Sequence, residues 1–179
     1  HYAIVDADGN AVSSTASVEQ AFGSRLMVRG FMLNNQLTDF SFRPEEDGKP
    51  VANRVEPGKR PRSSMAPTIV KDADDGFRLA VGSPGGSRII GYTALRVLAV
   101  LDWDLDVQAA VELPNAVNRN GPTTLEAGTS AEALAAPLRA RGHKVELEAM
   151  TSGLHAIERR GGRLYGGADP RREGVALGD

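Results

Sequence analysis

The 179-residue sequence contains no cysteine. That excludes a disulfide framework, a thiolate metal site and a cysteine nucleophile, while remaining compatible with any redox compartment. Histidine is scarce: His1, His143 and His155 are the three copies, and they lack metal-ligand spacing. Neither sign of charge dominates, because 21 Lys and Arg face 23 Asp and Glu for a formal net charge of -2. The nearest approach to a basic run, Lys59, Arg60 and Arg62, is broken by Pro61, so charge gives no reason to expect a nucleic-acid partner. Long apolar runs are missing too. The longest mostly apolar stretch, Tyr92 to Trp103, contains Arg96 and Asp102 and is not a membrane span. No internal repeat of roughly 20–50 residues is found.

What remains is the balance of an ordinary globular chain, 41% hydrophobic and 25% charged. Its length fits a single domain, residues 1–179, within the usual range of roughly 100–200 residues. The sequence opens on His1, without an initiator Met or a signal peptide, and runs directly into strand-like residues. That pattern points to proteolytic processing or to a start lying upstream.

His1 to Val5 is β-prone, Asp6 to Asn10 carries turn chemistry, and Ala11 to Val18 alternates through Ser13, Thr15 and Ser17. A further strand is predicted from Leu26 to Leu33. Arg43 to Arg62 holds Pro44, Pro50, Pro57 and Pro61 and reads as a long surface loop. Thr68–Asp72 pairs with Phe77–Gly82 across Asp74-Asp75-Gly76. A helix follows from about Arg88 to Leu101, with apolar residues on more than one face, which predicts that it is buried. A short helix spans Val107 to Leu113, ended by Pro114. Thr129 and Glu132 match a capping box, so Ala131 to Arg141 should be helical up to Gly142, with Pro137 forcing a kink or a late start. Lys144 to Met150 alternates as a strand, and Ala156–Arg159 with Arg163–Tyr165 flank Gly161-Gly162 as a hairpin. Strands, helices and further strands make an α+β, layered domain.

The most informative local feature is Gly82-Ser83-Pro84-Gly85-Gly86-Ser87, a glycine turn between strand and helix. Such a turn presents free backbone N–H groups to an anion. It is neither a P-loop nor a dinucleotide fingerprint. A plain strand-to-helix turn with Ser87 as N-cap would use the same residues. Ser63-Ser64 offers two hydroxyls suited to a carboxylate, or simply a loop turn. Gln36 and Asp39 suit an ammonium, although turn-forming polar residues also read this way. Asp6, Asp8 and Asn10 begin like a calcium loop, but Gly9 falls two places early and Ser17 stands where a Glu should close it. A hairpin turn is the better reading, and the same holds for Asp72, Asp74 and Asp75. His155 reads as a packed strand residue.

Taken in order, these segments resemble the small subunit of the gamma-glutamyltranspeptidases. The matching blocks are Asp8-Gly9-Asn10-Ala11-Val12, Phe22-Gly23-Ser24, Leu33-Asn34-Asn35-Gln36 with Asp39-Phe40-Ser41, and Lys59-Arg60-Pro61. They continue with Ser63-Ser64-Met65, Gly82 to Ile90, and Tyr165-Gly166-Gly167-Ala168-Asp169-Pro170-Arg171. The resemblance covers nearly the whole chain. It implies an N-terminal nucleophile hydrolase, an αββα sandwich completed by a large subunit from the same precursor. It further implies a Thr nucleophile two residues upstream of His1, with its own α-amine as base. Gly85 and Gly86 would form the oxyanion hole, and Ser17 stands where the family places a second Thr hydrogen-bonded to the nucleophile. Ser63 and Ser64 would hold the glutamyl carboxylate, while Gln36 and Asp39 would hold its ammonium. No metal or other cofactor is implied.

Two departures from the family pattern bear on specificity. Glu19 replaces an Asn that contacts the substrate amine, and Phe42 to Lys59 lacks the Tyr of a bacterial lid. The resemblance thus implies hydrolysis or transfer of a gamma-glutamyl group from glutathione and related compounds to water or an amino acid. The alternatives are a related amide acylase of the cephalosporin acylase kind, or a catalytically silent homologue acting as a binding or structural protein. A periplasmic or secreted location is the expectation that accompanies the resemblance.

Overall fold

The computed structural model describes residues 1–178. In chain order the strands begin with β1 (Tyr2–Val5), β2 (Ala11–Ser14), β3 (Met27–Val28), β4 (Phe31–Met32), β5 (Glu45–Glu46) and β6 (Lys49–Pro50). Then come β7 (Thr68–Lys71), β8 (Phe77–Gly82), helices α1 (Ile89–Leu101) and α2 (Val107–Glu112), β9 (Ala116–Asn118), and β10 (Thr123–Glu126). Helix α3 (Ala135–Ala140), β11 (Val145–Glu148), β12 (His155–Arg160) and β13 (Arg163–Ala168) complete the chain. Two compact units result: residues 1–15 with everything from Ser64 onward, and Ala16–Ser63.

The first unit is built on an antiparallel sheet in the order β13-β12-β8-β7, with Ala156 opposite Val81 and Ile157 opposite Ala80. Residues alternate between the faces of a strand. Leu79 and Val81 therefore join Tyr92, Ala99, Val107 and Val111 in the core beneath α1 and α2. The other face takes the β1–β2 hairpin, whose Ser13 Oγ donates to Val81 O at 3.3 Å. A side chain at Gly82 would run into the His1 ring, so the glycine permits this approach. Helices, sheet and hairpin stack as layers, as an α+β reading requires.

A second sheet, ordered β11-β10-β9, pairs β10 with β11 in parallel and with β9 antiparallel. Leu125, Ala131 and Ala135 form its small core. Neither β9 nor β10 is among the strands expected from the sequence.

Several expectations need correction. The strand predicted to Val18 ends at Ser14, where its partner β1 runs out at Tyr2. The strand predicted over Leu26–Leu33 is the β3–β4 hairpin, because Arg29 and Gly30 both take positive φ. Asp47-Gly48, also at positive φ, puts the β5–β6 hairpin inside the predicted loop. Helix α1 buries one face only, through Ile89, Tyr92, Thr93, Arg96, Ala99 and Val100. Ile90, Leu98 and Leu101 are exposed. The predicted Ala131–Arg141 helix is a 3-10 turn, Ser130–Leu134, followed by α3, a late start that matches Pro137. The β12–β13 hairpin runs further than expected, and β11 is shorter.

Beneath α1 lies a buried ionic cluster. Arg96, 1% exposed, donates to Asn115 Oδ1 at 2.7 Å and to Leu113 O at 2.6 Å. Asn115 Nδ2 donates to Glu126 Oε2 at 3.0 Å, and Arg171 Nε donates to Glu126 Oε1 at 2.6 Å. Arg171 Nη1 also pairs with Asp169 at 2.9 Å. Two cations face two carboxylates, so the cluster is neutral. Burial, and then the neighbouring Arg171 cation, lowers the Arg96 pKa to about 10, which leaves it charged at neutral pH.

The second unit has little core. Among its large apolar side chains Phe40 is buried, whereas Phe22, Leu26, Met27, Phe31, Leu37, Phe42 and Val55 are exposed.

Removing Arg96 takes the side-chain donor from Asn115 Oδ1 and leaves the cluster one negative charge in excess. Arg96→Met should therefore lower unfolding stability by about 3–5 kcal/mol, read by urea denaturation. Arg78→Met removes one of the two cations that pair with the buried Glu158 and leaves Arg160 in place, so it should cost less, about 1–3 kcal/mol.

Candidate active site

Strand β8 delivers the chain at Gly82 into the Ser83-Pro84-Gly85-Gly86 turn, from which a 3-10 turn (Gly86–Arg88) opens α1. Gly85 has φ 139° and Gly86 φ 58°, conformations that disfavour a residue bearing a Cβ. At Gly85 that Cβ would also stand 2.6 Å from Tyr92 Cε2. Tyr92 is buried there, and burial pushes its hydroxyl pKa up. Arg88 N donates to Gly85 O at 3.3 Å, while the N–H groups at the start of the turn lie outside the helical ladder.

Ser87 is not the N-cap that the plain-turn reading required. Neither the 3-10 turn nor α1 has a side-chain cap among the described residues, and Ser87 Oγ instead accepts from Arg119 Nη1 at 2.5 Å. The turn is thus shaped as an anion receptor: a rigid back against Tyr92 and leading N–H groups that no side chain occupies.

Beneath it lies a layer with no role assigned from sequence. Ser83, fully buried, donates to Pro84 O at 2.6 Å and accepts from Gly153 N at 3.1 Å. Ser152 Oγ donates to Asp169 Oδ2 at 2.5 Å, and Leu154 N approaches the same oxygen at 3.3 Å. Burial alone would raise the Asp169 pKa. Hydrogen bonds from Ser152, Arg171 and Leu154 outweigh it and hold the carboxyl below its usual value. The sequence signals for this layer are Ser83 within the glycine-turn motif and Asp169 within the Tyr165–Arg171 block, and neither gives a contact partner.

The unit Ala16–Ser63 carries Ser17, Glu19, Gln36, Asp39 and Ser63, while Ser64, Gly85 and Gly86 belong to the other. Ser17 Oγ accepts from Glu19 N at 2.8 Å. Glu19 sits at φ 75°, and its Oε2 is closed off from solvent with no hydrogen-bond partner among the described residues. Gln36 Nε2 and Asp39 Oδ2 are joined by a hydrogen bond across one 3-10 turn. Asn53 Nδ2 donates to Asp39 O at 2.7 Å, tying that turn to the downstream loop.

The calcium-like segments are turns, as expected. Asp6 Oδ1 accepts from Asp8 N and Asn10 N, and Asp72 Oδ1 accepts from Asp74 N and Gly76 N. His155 stands in β12 opposite Gly82 and Ala168. No helix of the described residues is long and apolar enough to cross a membrane.

A depressed carboxyl stabilises the fold above its unfolded pKa, about 3.9, and that contribution is lost as pH falls through the folded value. The stability gap between the wild-type chain and Asp169→Asn should be full near pH 7 and shrink below about pH 4, measured by urea unfolding across pH. A gap that stays constant down to pH 2 would contradict the ionised, hydrogen-bonded Asp169.

The family model described as gamma-glutamyltranspeptidase matches residues 1–179. The glutathione hydrolase proenzyme of Escherichia coli is 42% identical over 184 residues, covering 96% of this chain and 31% of that protein. The chain thus spans about a third of the length of the curated relatives it matches. Among solved structures, the gamma-glutamyltranspeptidase of Pseudomonas nitroreducens in complex with L-DON superposes with a TM-score of 0.86 at 34% identity. That match covers 100% of this chain and 98% of the other. A cephalosporin acylase from Bacillus halodurans gives a TM-score of 0.81 at 29% identity, over 94% of this chain and 32% of that one. By a family match over its whole length, and with the fold of an N-terminal nucleophile hydrolase, the chain belongs to the gamma-glutamyltranspeptidase family.

Proposed function

We propose that the chain is the small subunit of a gamma-glutamyl hydrolase and transferase that works through an acyl-enzyme on a Thr two residues upstream of His1. The observation that carries this reading is the uncapped Gly85–Gly86 turn at the end of β8, with the His1 ring packed against Gly82 at the same strand end. The chain ahead of His1 then starts beside the turn.

In this reading the Thr hydroxyl gives its proton to the Thr α-amine as it attacks the gamma-carbonyl carbon. The carbonyl oxygen becomes an oxyanion between the Gly85 and Gly86 N–H groups. As the tetrahedral species collapses, the amine leaving group takes the proton and departs. Water or an amino-acid amine repeats the sequence on the acyl-enzyme and releases glutamate or the transfer product. Ser63 and Ser64 hold the glutamyl α-carboxylate through their hydroxyls. Gln36 and Asp39 accept the α-ammonium, and Ser17 donates to the nucleophile.

Glu19 adds a second carboxylate for the ammonium, beside Asp39. Its buried, unpartnered Oε2 is costly unless a donor arrives, and an ammonium is such a donor. The same carboxylate would suit an acylase with another side-chain preference, the reading that the cephalosporin acylase likeness represents. The match to a glutathione hydrolase proenzyme at 42% identity favours the gamma-glutamyl reading.

The partner is a large subunit cut from the same precursor. In support, the relatives are proenzymes about three times longer, while the solved Pseudomonas chain is matched almost end to end. The exposed apolar residues of Ala16–Ser63 supply a surface for such a partner to cover. A periplasmic or secreted location fits the family resemblance.

The test is release of p-nitroaniline from gamma-glutamyl-p-nitroanilide by the full precursor, purified after self-cleavage. We expect turnover and an N-terminal Thr on the small chain. Ser63→Ala and Ser64→Ala should each raise KM by roughly 10–100-fold, the worth of a hydrogen bond to a charged group. Glu19→Gln should also raise KM, with kcat less affected. Absence of turnover on this substrate, with cleavage of a cephalosporin side-chain amide, would replace the reading with the acylase.

A further inference from the structure

We propose that Ser83 is a positioning residue for the oxyanion turn, braced by the Ser152–Leu154 segment and Asp169. The proposal rests on the gamma-glutamyl reading above and names what sets the geometry of its oxyanion hole.

The Gly85–Gly86 turn has no side chains of its own to lock it, and glycine surrenders more conformational freedom than any other residue when fixed. Something outside the turn must hold it. On one side stands the Tyr92 ring, against Gly85. On the other, Ser83 Oγ makes two bonds that straddle the turn's entry: it donates to Pro84 O at 2.6 Å and accepts from Gly153 N at 3.1 Å. Ser83 is two residues before Gly85, so a shift of its anchor passes directly into the N–H groups that receive the oxyanion.

The brace is itself fixed at three consecutive residues. Ser152 Oγ and Leu154 N both point to Asp169 Oδ2, at 2.5 and 3.3 Å, and Gly153 N is the donor to Ser83. Gly153 admits no side chain, because a Cβ there would lie 2.9 Å from Pro84 Cγ and 2.7 Å from Arg172 Cδ. Arg172 closes the outer side by donating to Thr151 O from Nε at 3.1 Å and Nη2 at 3.0 Å. Asp169 is held in turn by Arg171 at 2.9 Å. Ser83, Ser152 and Asp169 are all at most 2% exposed, so water does not replace a lost bond.

None of these groups needs to touch substrate. Their effect is on where the oxyanion donors sit, and catalysis by such donors depends on prior alignment with the position of the developing charge. Loss of alignment penalises the tetrahedral state and spares ground-state binding, which runs through Ser63, Ser64, Gln36 and Asp39 in the proposed reading.

The experiment uses the full precursor carrying Ser83→Ala or Ser152→Ala, self-cleaved and titrated for active sites. With gamma-glutamyl-p-nitroanilide, Ser83→Ala should lower kcat by roughly 10–100-fold, less than or comparable to loss of an oxyanion donor, with KM within about 3-fold of wild type. Affinity for a gamma-glutamyl boronate, which forms a tetrahedral adduct with the nucleophile, should fall by the same factor as kcat/KM. Ser152→Ala should give the same signature with a smaller loss, and Ser83→Cys should recover part of the activity.

Unchanged kcat in folded Ser83→Ala enzyme, or equal effects on boronate and substrate binding, would overturn the proposal. So would failure of both alanine variants to accumulate as folded protein, which would make these residues requirements for folding. If wild-type enzyme itself does not release p-nitroaniline, the gamma-glutamyl reading fails first, and the two failures are told apart.

Discussion

The neutral cluster of Arg96, Arg171, Glu126 and Asp169, joined through Asn115, is the constraint on which the rest of the larger unit depends. Burying four charges is expensive, and the attraction among them repays that cost only when every remaining donor and acceptor is satisfied. The cluster comes near to this demand by spending backbone carbonyls as well as side chains: Leu113 O receives both Arg96 and Arg171, and of the Arg96 nitrogens Nε stays buried without a partner among the described residues. Helix α1, the end of α2, strand β10 and the chain after β13 therefore have to arrive together. Apolar packing beneath α1 and α2 supplies the driving force, but it tolerates sliding. The ion cluster does not.

That rigidity reaches the turn after β8 along a short path. Asp169 belongs to the cluster through Arg171 and to the Ser152–Leu154 segment through its other oxygen. Ser83 meets that segment at Gly153. A turn made almost wholly of glycine, serine and proline would be mobile in isolation. Here it stands between a buried Tyr92 ring and a buried polar brace. The glycines are needed for close approach and for left-handed backbone, and the surroundings remove the flexibility that glycine brings.

Local signals made part of this readable in advance. Asp74-Asp75-Gly76 announced the β7–β8 hairpin, Gly161-Gly162 announced β12–β13, and Thr129 with Glu132 marked the helical start. Where expectations failed, the deciding information was not local. Arg29 and Asp47 each precede a glycine at the tip of a two-residue ladder, but the surrounding residues alternate too weakly to advertise strands. The β9 and β10 strands draw their order from each other and from β11, some 20 residues downstream of β10. Gly85 and Gly86 were legible because the turn demands glycine at those places. Ser83, Ser152 and Asp169 were not, because three polar residues spread over 87 positions carry no periodicity. Only the folded chain shows them in one hydrogen-bonded path.

The unit Ala16–Ser63 obeys a different physics. It holds most of the polar residues proposed to bind substrate, yet its large apolar side chains stay mostly in solvent. Hydrophobic burial within this chain therefore contributes little to its order, and local hydrogen bonds and turns carry most of what the chain itself supplies. Glu19 concentrates the tension. A residue with a Cβ at φ 75° costs of order 1–3 kcal/mol, and its buried Oε2 lacks a donor. An ammonium bound at that carboxylate would offset the desolvation without relieving the backbone, so the backbone strain belongs to the protein whether substrate is present or not. Asparagine, which accepts left-handed backbone more readily than glutamate, would remove that strain and also the charge. A glutamate is the costlier residue for the fold, and what it supplies in return is a full negative charge for a cationic ligand.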